Sequence, residues 1–260
     1  MKKIPIMQQL LGKPYLPYQK FHEKTKIKRF LPKLPKSEHP KSWKTVTFKQ
    51  YPRLDKIVLP DPFPLTHVSL QDVLMERKTI RKFSRQPLPL DTISTLLYWS
   101  SGLRDTKPPW QGKRFYPSGG ALYPLETYIL SLNSDIPIGL YHYNLLSHSL
   151  EVLLQDKKID IKTFFPYKTQ PWLKKSSCFI ITTACFKRNT TKYADHGYRQ
   201  ILMEMGHLAQ NIYLLCTALE IALCPIGMFL DDKLNALLDL DSVEESAISV
   251  IAVGNKANED

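Results

Sequence analysis

The longest regular apolar pattern in this 260-residue chain lies between residues 198 and 219. Apolar side chains recur there at the three- and four-residue spacing of one helix face: Leu202, Met205, Leu208, Ala209, Ile212, Leu215 and Leu219. The spacing predicts a helix of about six turns. Such a long apolar stripe must be covered along its whole length. The most apolar long window, residues 208–230, is interrupted by Asn211, Glu220 and Pro225. We therefore expect a buried helix and a loop there, and no membrane span.

Short runs rich in β-branched and aromatic residues predict a sheet that covers this helix. The predicted strands are residues 126–132, 139–143, 149–154, 178–184 and 246–253. Ser69 and Asp72 predict the start of a shorter helix, and residues 90–101 a third one. Because strands and helices do not alternate strictly, the pattern predicts an α+β fold with a central sheet packed by helices. The chain has no G-x-G-x-x-G, which disfavours a Rossmann site.

The net charge of +12 is confined to the N-terminal part of the chain. Residues 1–56 hold 15 Lys and Arg against 3 Asp and Glu, whereas the remainder holds 21 of each sign. Half of the 20 prolines fall within residues 1–64, where they disfavour helix. We therefore predict a basic, mostly extended arm over residues 1–64 and a folded domain over 65–260. The basic residues form no helical stripe, which favours a docked or solvated arm over one that binds nucleic acid.

The cysteines and the N-terminal sequence indicate the cellular compartment. Cys178, Cys185, Cys216 and Cys224 form no C-x-x-C pair and have no histidine at metal-ligand spacing, so we predict no metal site. The first residues lack the uninterrupted apolar run of a signal peptide. A cytoplasmic protein with reduced thiols, not attached to a membrane, is the expectation.

A cationic cluster follows the helix that Ser69 begins. Arg77, Lys78, Thr79 and Arg81 can all donate to an anion. Two or three such contacts, at about 1.5–3 kcal/mol each, would anchor a phosphate. Taken alone, the cluster is better explained as a solvated basic turn.

Two glycine-containing segments could meet a flat ligand. Ser118 and Gly119 belong to a small-residue loop between prolines, residues 117–124 (PSGGALYP), and small side chains let a ring approach the backbone closely. Residues 224–229 (CPIGMF) form a turn after the long helix and present backbone N–H groups in fixed directions. Each could equally be an ordinary connection.

The order and spacing of these segments resemble those of the SagB-type dehydrogenases, flavoproteins of the nitroreductase superfamily related to the oxidases that convert azolines to azoles in ribosomally made peptides. The resemblance runs from about Phe21 to the C-terminus. It includes residues 77–83, 117–126, 139–143 (GLYHY), 192–193, 206–211, 225–227 and 253–254. It implies a nitroreductase-like fold and a homodimer with FMN at the subunit interface.

The resemblance also implies residue roles. Arg77, Thr79 and Arg81, with Lys78 and Lys256, would hold the FMN phosphate and ribityl chain. Ser118 and Gly119 would meet the isoalloxazine ring. The backbone of the turn would address its reactive nitrogen, through Pro225, Ile226, Gly227 and Met228.

Lys192 and Tyr193 match a pair to which related oxidases assign proton handling. Adjacent residues point about 100° apart on a helix and to opposite faces of a strand. Both can therefore reach one substrate only if the chain is irregular just before the long helix. Three positions depart from the usual family pattern, which has Ser at Thr79, Arg at His196 and Gly at Met228.

The implied activity is FMN-dependent dehydrogenation of a heterocyclic or peptide-derived substrate. One alternative is reduction of a nitro or quinone compound with NAD(P)H, which needs no dedicated base. The other is a non-catalytic flavin-fold protein whose basic arm binds an acidic partner.

Overall fold

A computed structural model describes residues 16–27, 40–41, 47–66, 68–104, 112–156, 158–165, 168 and 170–257. The helices there are α1 (Pro17–Lys24), α2 (Leu70–Glu76), α3 (Leu90–Ser101), α4 (Lys187–Tyr193), α5 (Asp195–Ala218) and α6 (Asp231–Leu237). The strands are β1 (Lys56–Val58), β2 (Leu125–Ser131), β3 (Gly139–Asn144), β4 (Ser149–Gln155), β5 (Cys178–Cys185), β6 (Ile221–Pro225) and β7 (Glu245–Asn255). Short 3₁₀ helices cover Gly119–Ala121, Ile161–Thr163 and Pro171–Lys175. Within these ranges, no helix is both long and apolar enough to cross a bilayer.

The strands form one sheet in the order β1-β4-β3-β2-β5-β7-β6, and every neighbouring pair is antiparallel. The central strands β2 and β5 pair from Leu125, opposite Ala184, to Ser131, opposite Cys178. The antiparallel sheet packed by helices confirms the predicted α+β class. The predicted strands correspond to β2, β3, β4, β5 and β7.

Helices cover both faces of the sheet, so alternate residues of β2 enter two separate cores. Leu125 and Ile129 pack in the core that includes α3 and α5. Tyr128 and Leu130 pack in the core that includes α6. Burying each large apolar side chain contributes about 1.5–3 kcal/mol. A one-residue slip would exchange the two cores, so burial fixes the register of β2.

Helix α5 is the long helix that the apolar pattern predicts, and it begins three residues earlier than expected, at Asp195. Met205, Leu208 and Ile212 are buried as predicted. Leu202, by contrast, is 46% exposed and points away from the core. The buried face also includes a carboxylic acid, Glu204, which the apolar pattern did not indicate.

The segment predicted as an extended arm contains regular structure. Helix α1 packs on the start of α5, where the rings of Phe21 and Tyr198 meet edge to face at 5.4 Å. His196 Nδ1 donates to the Thr25 carbonyl over 3.0 Å. Strand β1 pairs with β4, so the sheet begins before residue 64. The mostly extended prediction is corrected at α1, whereas β1 is extended but belongs to the sheet of the folded domain. Residues 1–15, 28–39 and 42–46 of the predicted arm lie outside the described residues.

Candidate active site

The cationic segment after α2 runs along the edge strand β6 and the end of β7. The Ile80 amide donates to the Leu223 carbonyl over 2.9 Å, and the Ser84 amide donates to the Asn255 carbonyl over 2.9 Å. Phe83 forms an antiparallel bridge with Lys256. These backbone contacts bring the C-terminal lysine beside the segment, although the two are far apart in sequence.

Three of the predicted phosphate ligands line one cleft. Arg77, Lys78 and Lys256 surround a space of about 370 Å³, together with Ile80 and Thr217. The exposed carboxylate of Glu76 also lines this cleft, so the net charge around the opening is +2, which still favours an anion. The arrangement fits the phosphate of a bound nucleotide, which is the role that the resemblance implies for these residues.

Tyr213 on α5 orients two members of the cationic segment. The Arg77 guanidinium lies 5.2 Å from the centroid of the Tyr213 ring. The hydroxyls of Thr79 and Tyr213 are 3.1 Å apart, within hydrogen-bonding distance. Sequence reasoning missed Tyr213, because an aromatic residue within an apolar helix pattern gives no sign of a polar partner.

Arg81 lies in a different place from Arg77. It lines a cleft of about 530 Å³ with Phe83, Trp172 and three lysines. Burial raises the pKa of the Cys224 thiol, and the neighbouring guanidinium of Arg81 limits that rise. Arg81 is therefore adjacent to the turn that begins at Pro225.

The turn after β6 carries the next group of predicted ligands. The Ile226 amide donates to the Val250 carbonyl over 2.9 Å, so it is used within the sheet. Gly227 and Met228 line a cleft of about 480 Å³ with Phe164 and Phe229. The Met228 side chain is 64% exposed, at the position where the family pattern has glycine. The bulk of Met228 thus lies at the mouth of this cleft.

The loop of residues 117–124 lies against the predicted proton-handling pair. A Cβ atom on Gly120 would be 2.6 Å from Tyr193 Oη and 2.9 Å from Lys192 Nζ. The φ angle of Gly120 is +67°, a conformation that glycine adopts readily. The lack of space for a Cβ atom and the positive φ angle both explain why glycine occupies this position. They also show that Lys192 and Tyr193 reach the same point of the loop.

Both residues reach this point although they lie within α4, so the predicted requirement for an irregular backbone at the pair is wrong: two long side chains of one helix turn reach the same glycine. Tyr193 is the last residue of α4, and Ala194 separates it from α5 with φ +47° and ψ −143°. The Lys192 ammonium lies 5.3 Å from the centroid of the Tyr193 ring. The irregular backbone thus lies directly after the pair.

A buried charge network anchors α4. Arg188 donates to the Tyr123 carbonyl over 3.2 Å and to Glu126 over 2.5 Å. Glu126 and Glu151 flank His142, whose Nδ1 is 2.8 Å from Glu151. Burial alone would raise the pKa of Glu126, but His142, Arg188 and Arg114 together lower it to about 2. Burial lowers the pKa of His142, but hydrogen bonds and charge from the two carboxylates outweigh it and raise that pKa.

The predicted residues therefore form separate groups within one chain. The first group is Arg77, Lys78 and Lys256 in their cleft. The second is the loop with Lys192 and Tyr193. The cleft of the first group is not lined by Ser118 or Gly119.

Comparison with known proteins supports one family. A sequence profile of the nitroreductase family matches residues 74–255. The chain is 30% identical over 203 residues to a protein of Methanocaldococcus jannaschii that is named as a nitroreductase, which covers 77% of this chain and 96% of that protein. It is also 30% identical over 136 residues to the microcin B17-processing protein McbC of Escherichia coli, covering 50% of this chain and 49% of McbC. The chain thus spans about half the length of this relative.

A solved structure shows the same fold. It is the Escherichia coli microcin synthetase McbBCD complex with truncated pro-MccB17 bound. The similarity has a TM-score of 0.59 at 20% identity, over 98% of this chain and 95% of the matched chain. The resemblance to the nitroreductase superfamily, with peptide-processing relatives, is therefore confirmed. On the profile match and the archaeal relative together, this oxidoreductase chain belongs to the nitroreductase family.

Proposed function

We propose that this oxidoreductase binds FMN and dehydrogenates a heterocyclic or peptide-derived substrate. The observation that carries the proposal is the position of Lys192 Nζ and Tyr193 Oη, which both face Gly120. In the family pattern this loop meets the flavin ring. A base beside that ring is what dehydrogenation needs and simple hydride reduction does not.

The cationic cleft fits the phosphate of FMN. Arg77, Lys78 and Lys256 can each donate a charge-assisted hydrogen bond, which contributes about 1.5–3 kcal/mol. Tyr213 holds Arg77 and Thr79 in place, so less side-chain freedom is lost on binding. Arg81 and the Pro225–Met228 backbone lie next to each other at the edge strand β6, and in this proposal the flavin ring lies beside them.

Oxidising an azoline ring to an azole removes two hydrogens from adjacent ring carbons and leaves a C=C bond, with one hydrogen departing as a hydride and the other as a proton. Bound FMN would supply the hydride acceptor. The proton would go to Lys192 Nζ in its unprotonated amine form, or to Tyr193 Oη in its phenolate form, since both lie at the loop. The buried contacts of Arg188 would keep α4, and therefore the pair, at a fixed distance from that loop.

A homodimer with flavin at the interface completes the proposal. Leu202 and Met203 on α5 are 46% and 55% exposed. Beside this helix lies a mostly apolar cleft of about 500 Å³, lined by Trp99, Phe115 and Leu214 among others. A second copy would cover these groups and bring its Ser118 loop toward the Arg77 cleft of the first. This would join groups that one chain keeps apart.

The similarity to McbC, a microcin-processing protein, favours a peptide substrate. The archaeal relative favours the second candidate, reduction of a nitro or quinone compound with NAD(P)H. The two differ in their need for a base, because only dehydrogenation releases a proton from the substrate.

The test uses the purified full chain, its flavin spectrum and two variants, Lys192→Ala and Tyr193→Phe. A dehydrogenase bleaches anaerobically on mixing with a peptide that carries one thiazoline ring, and both variants retain flavin but bleach at least about tenfold more slowly. A reductase bleaches with NADPH, and the variants behave as the wild type. A colourless protein that does not take up added FMN would contradict both activities.

A further inference from the structure

Glu204 on α5 is a buried carboxylic acid that the proposed chemistry leaves without a role. It is 1% exposed and stands among Ile201, Met205 and Leu208 on the apolar face of the helix. Neither of its oxygens makes a hydrogen bond of normal geometry within the described part of the chain. A buried charge without close partners is costly, and such groups are uncommon unless function retains them.

The groups that face Glu204 come from the flavin-facing loop and from the segment before it. The Ser118 hydroxyl and the Gly119 N–H lie near enough to lower its pKa, as does the charge of Arg114. Burial outweighs these effects and raises the pKa to about 7. Tyr116 is the other titratable group that interacts with Glu204. Gln200, one turn earlier on α5, lies against Gly119.

The Ser118 side chain is turned into the protein. Its Oγ accepts a hydrogen bond from the Tyr123 N–H over 2.9 Å. The hydroxyl proton is thereby left to donate toward Glu204. Two donors of one loop, the Ser118 hydroxyl and the Gly119 amide, thus lie near one carboxyl group without a hydrogen bond of normal geometry to it.

Arg114 supplies charge to Glu204 and has unused hydrogen-bonding capacity. It is 3% exposed, and its Nη1 donates to the Leu125 carbonyl over 2.7 Å and to Tyr116 Oη over 2.9 Å. Its Nε and Nη2 have no hydrogen-bond partner among the described residues. Two buried charged groups, Arg114 and Glu204, therefore lie on the inner side of the loop and support it.

The loop needs such support because its backbone is strained. Gly120, Ala121 and Tyr123 all have positive φ, at +67°, +54° and +47°. For Ala121 and Tyr123 this conformation is unfavourable and persists only where surrounding contacts impose it. The contacts at the two ends of this strained stretch include those of Arg188 and Ser118 with Tyr123, the Arg114 guanidinium 5.2 Å from the Tyr123 ring, and the donors that face Glu204.

We propose that Glu204 is a positioning residue: its ionised carboxylate holds the Ser118 hydroxyl and the Gly119 amide, and so sets the loop beside Lys192 and Tyr193. Protonation replaces one acceptor site with a competing O–H donor, which loosens the loop. Flavin affinity therefore falls as the pH is lowered through neutrality. The flavin part of this inference rests on the proposed function, whereas the loop part does not.

The first experiment measures the loop without flavin. Amide hydrogen exchange of residues 117–124 is compared at pH 8 in the full chain, in Glu204→Gln and in Glu204→Ala, with the exposed Glu220→Gln as the matched control. Both Glu204 variants should exchange at least about threefold faster in the loop and unchanged in α5, and the control should match the wild type. Equal loop exchange in wild type and Glu204→Gln overturns the proposal, whatever the protein binds.

The second experiment measures riboflavin affinity by fluorescence quenching between pH 6 and 8. Riboflavin is chosen because the phosphate of FMN titrates near pH 6 and would add its own pH dependence. The wild type should lose up to about tenfold in affinity between pH 8 and pH 6, whereas Glu204→Gln should be flat. The same slope in both proteins overturns the proposal. Faster loop exchange with no binding of riboflavin or FMN would instead refute the proposed function and leave the loop role of Glu204 standing.

Discussion

Arg188 on α4 and Glu126 on β2 form a buried ion pair, and this pair ties the helix that carries Lys192 and Tyr193 to the centre of the sheet. Arg188 also donates to the Tyr123 carbonyl in the loop. One side chain thus fixes the positions of two parts of the candidate site relative to each other.

Replacing Arg188 with lysine tests this coupling. A single ammonium cannot reproduce the forked geometry of the guanidinium at both acceptors. We expect Arg188→Lys to lower the free energy of unfolding by about 2–3 kcal/mol and turnover by about 10- to 100-fold. Urea denaturation and steady-state kinetics provide the measurements. The neighbouring Lys187→Ala, which removes an exposed ion pair with Glu244, should change stability by less than about 1 kcal/mol. A similar effect of both changes would contradict the assigned role.

Gly120→Ala should displace the proton-handling pair. The new methyl group would collide with Tyr193 Oη and Lys192 Nζ, and the φ angle of +67° adds about 1–2 kcal/mol of strain. We expect loss of turnover and a lower melting temperature. Lys158→Ala, at an exposed position outside the proposed site and the proposed dimer face, is the control and should leave turnover and stability unchanged within about 0.5 kcal/mol. Unchanged turnover in Gly120→Ala would place the pair away from the chemistry.

Arg77→Ala and Lys256→Ala should separate phosphate binding from ring binding. Each removes one cation from the cleft. We expect FMN affinity to fall by about 10- to 150-fold per change and riboflavin affinity to stay constant, since riboflavin lacks the phosphate. Titration of the apoprotein with both flavins gives the comparison, with Lys24→Ala on α1 as a control for general charge effects. An equal loss for both flavins would show that the cleft does not hold the phosphate.

Glu204→Gln should remove a pH dependence of stability. The pKa of Glu204 is raised from 4.5 to about 7 in the folded chain, so folding takes up a proton between these values. Its contribution to stability therefore falls as the pH rises from 4.5 to 7, by up to about 3 kcal/mol. We expect Glu204→Gln, without flavin, to be more stable than wild type at pH 8 and similar at pH 4.5. Chemical denaturation at both values tests the sign. A variant equally destabilised at both pH values would contradict the raised pKa.

Periodicity was a reliable guide wherever an element has one apolar face or a β-branched run. It predicts α5 and the five longer strands. It does not predict β1, which has three residues and so no period, or α6, which has only two helical turns. It does not predict β6 because its apolar residues continue the apolar pattern of α5 and are assigned to a helix and a loop. Glu204 was missed for a related reason, since a carboxylic acid in a helix pattern is normally assigned to the solvent side. Only the fold shows that a loop far away in sequence lies over it.

The groups of the candidate site could be predicted from the sequence to different degrees. The cationic cluster that begins at Arg77 could be predicted from the basic residues in the sequence. The position of Lys256 beside it could not, because it depends on the antiparallel bridge between Phe83 and Lys256. Lys192 and Tyr193 share a target although both lie within α4, and the break follows at Ala194, a single residue with unusual backbone angles. The sequence analysis placed an irregular backbone just before the long helix, where Ala194 lies, but expected it to include Lys192 and Tyr193, which are helical.

Phe21, Tyr198 and Phe186 form a continuous row of rings from α1 through α5 to the start of α4. The N-terminal segment thus packs against the helix pair α4 and α5 and stabilises it, and Lys192 and Tyr193 belong to this pair. Deleting the N-terminal segment would remove the Phe21 ring that packs on Tyr198 and the Thr25 carbonyl that accepts from the His196 imidazole. Its effects would therefore spread beyond the simple loss of positive charge.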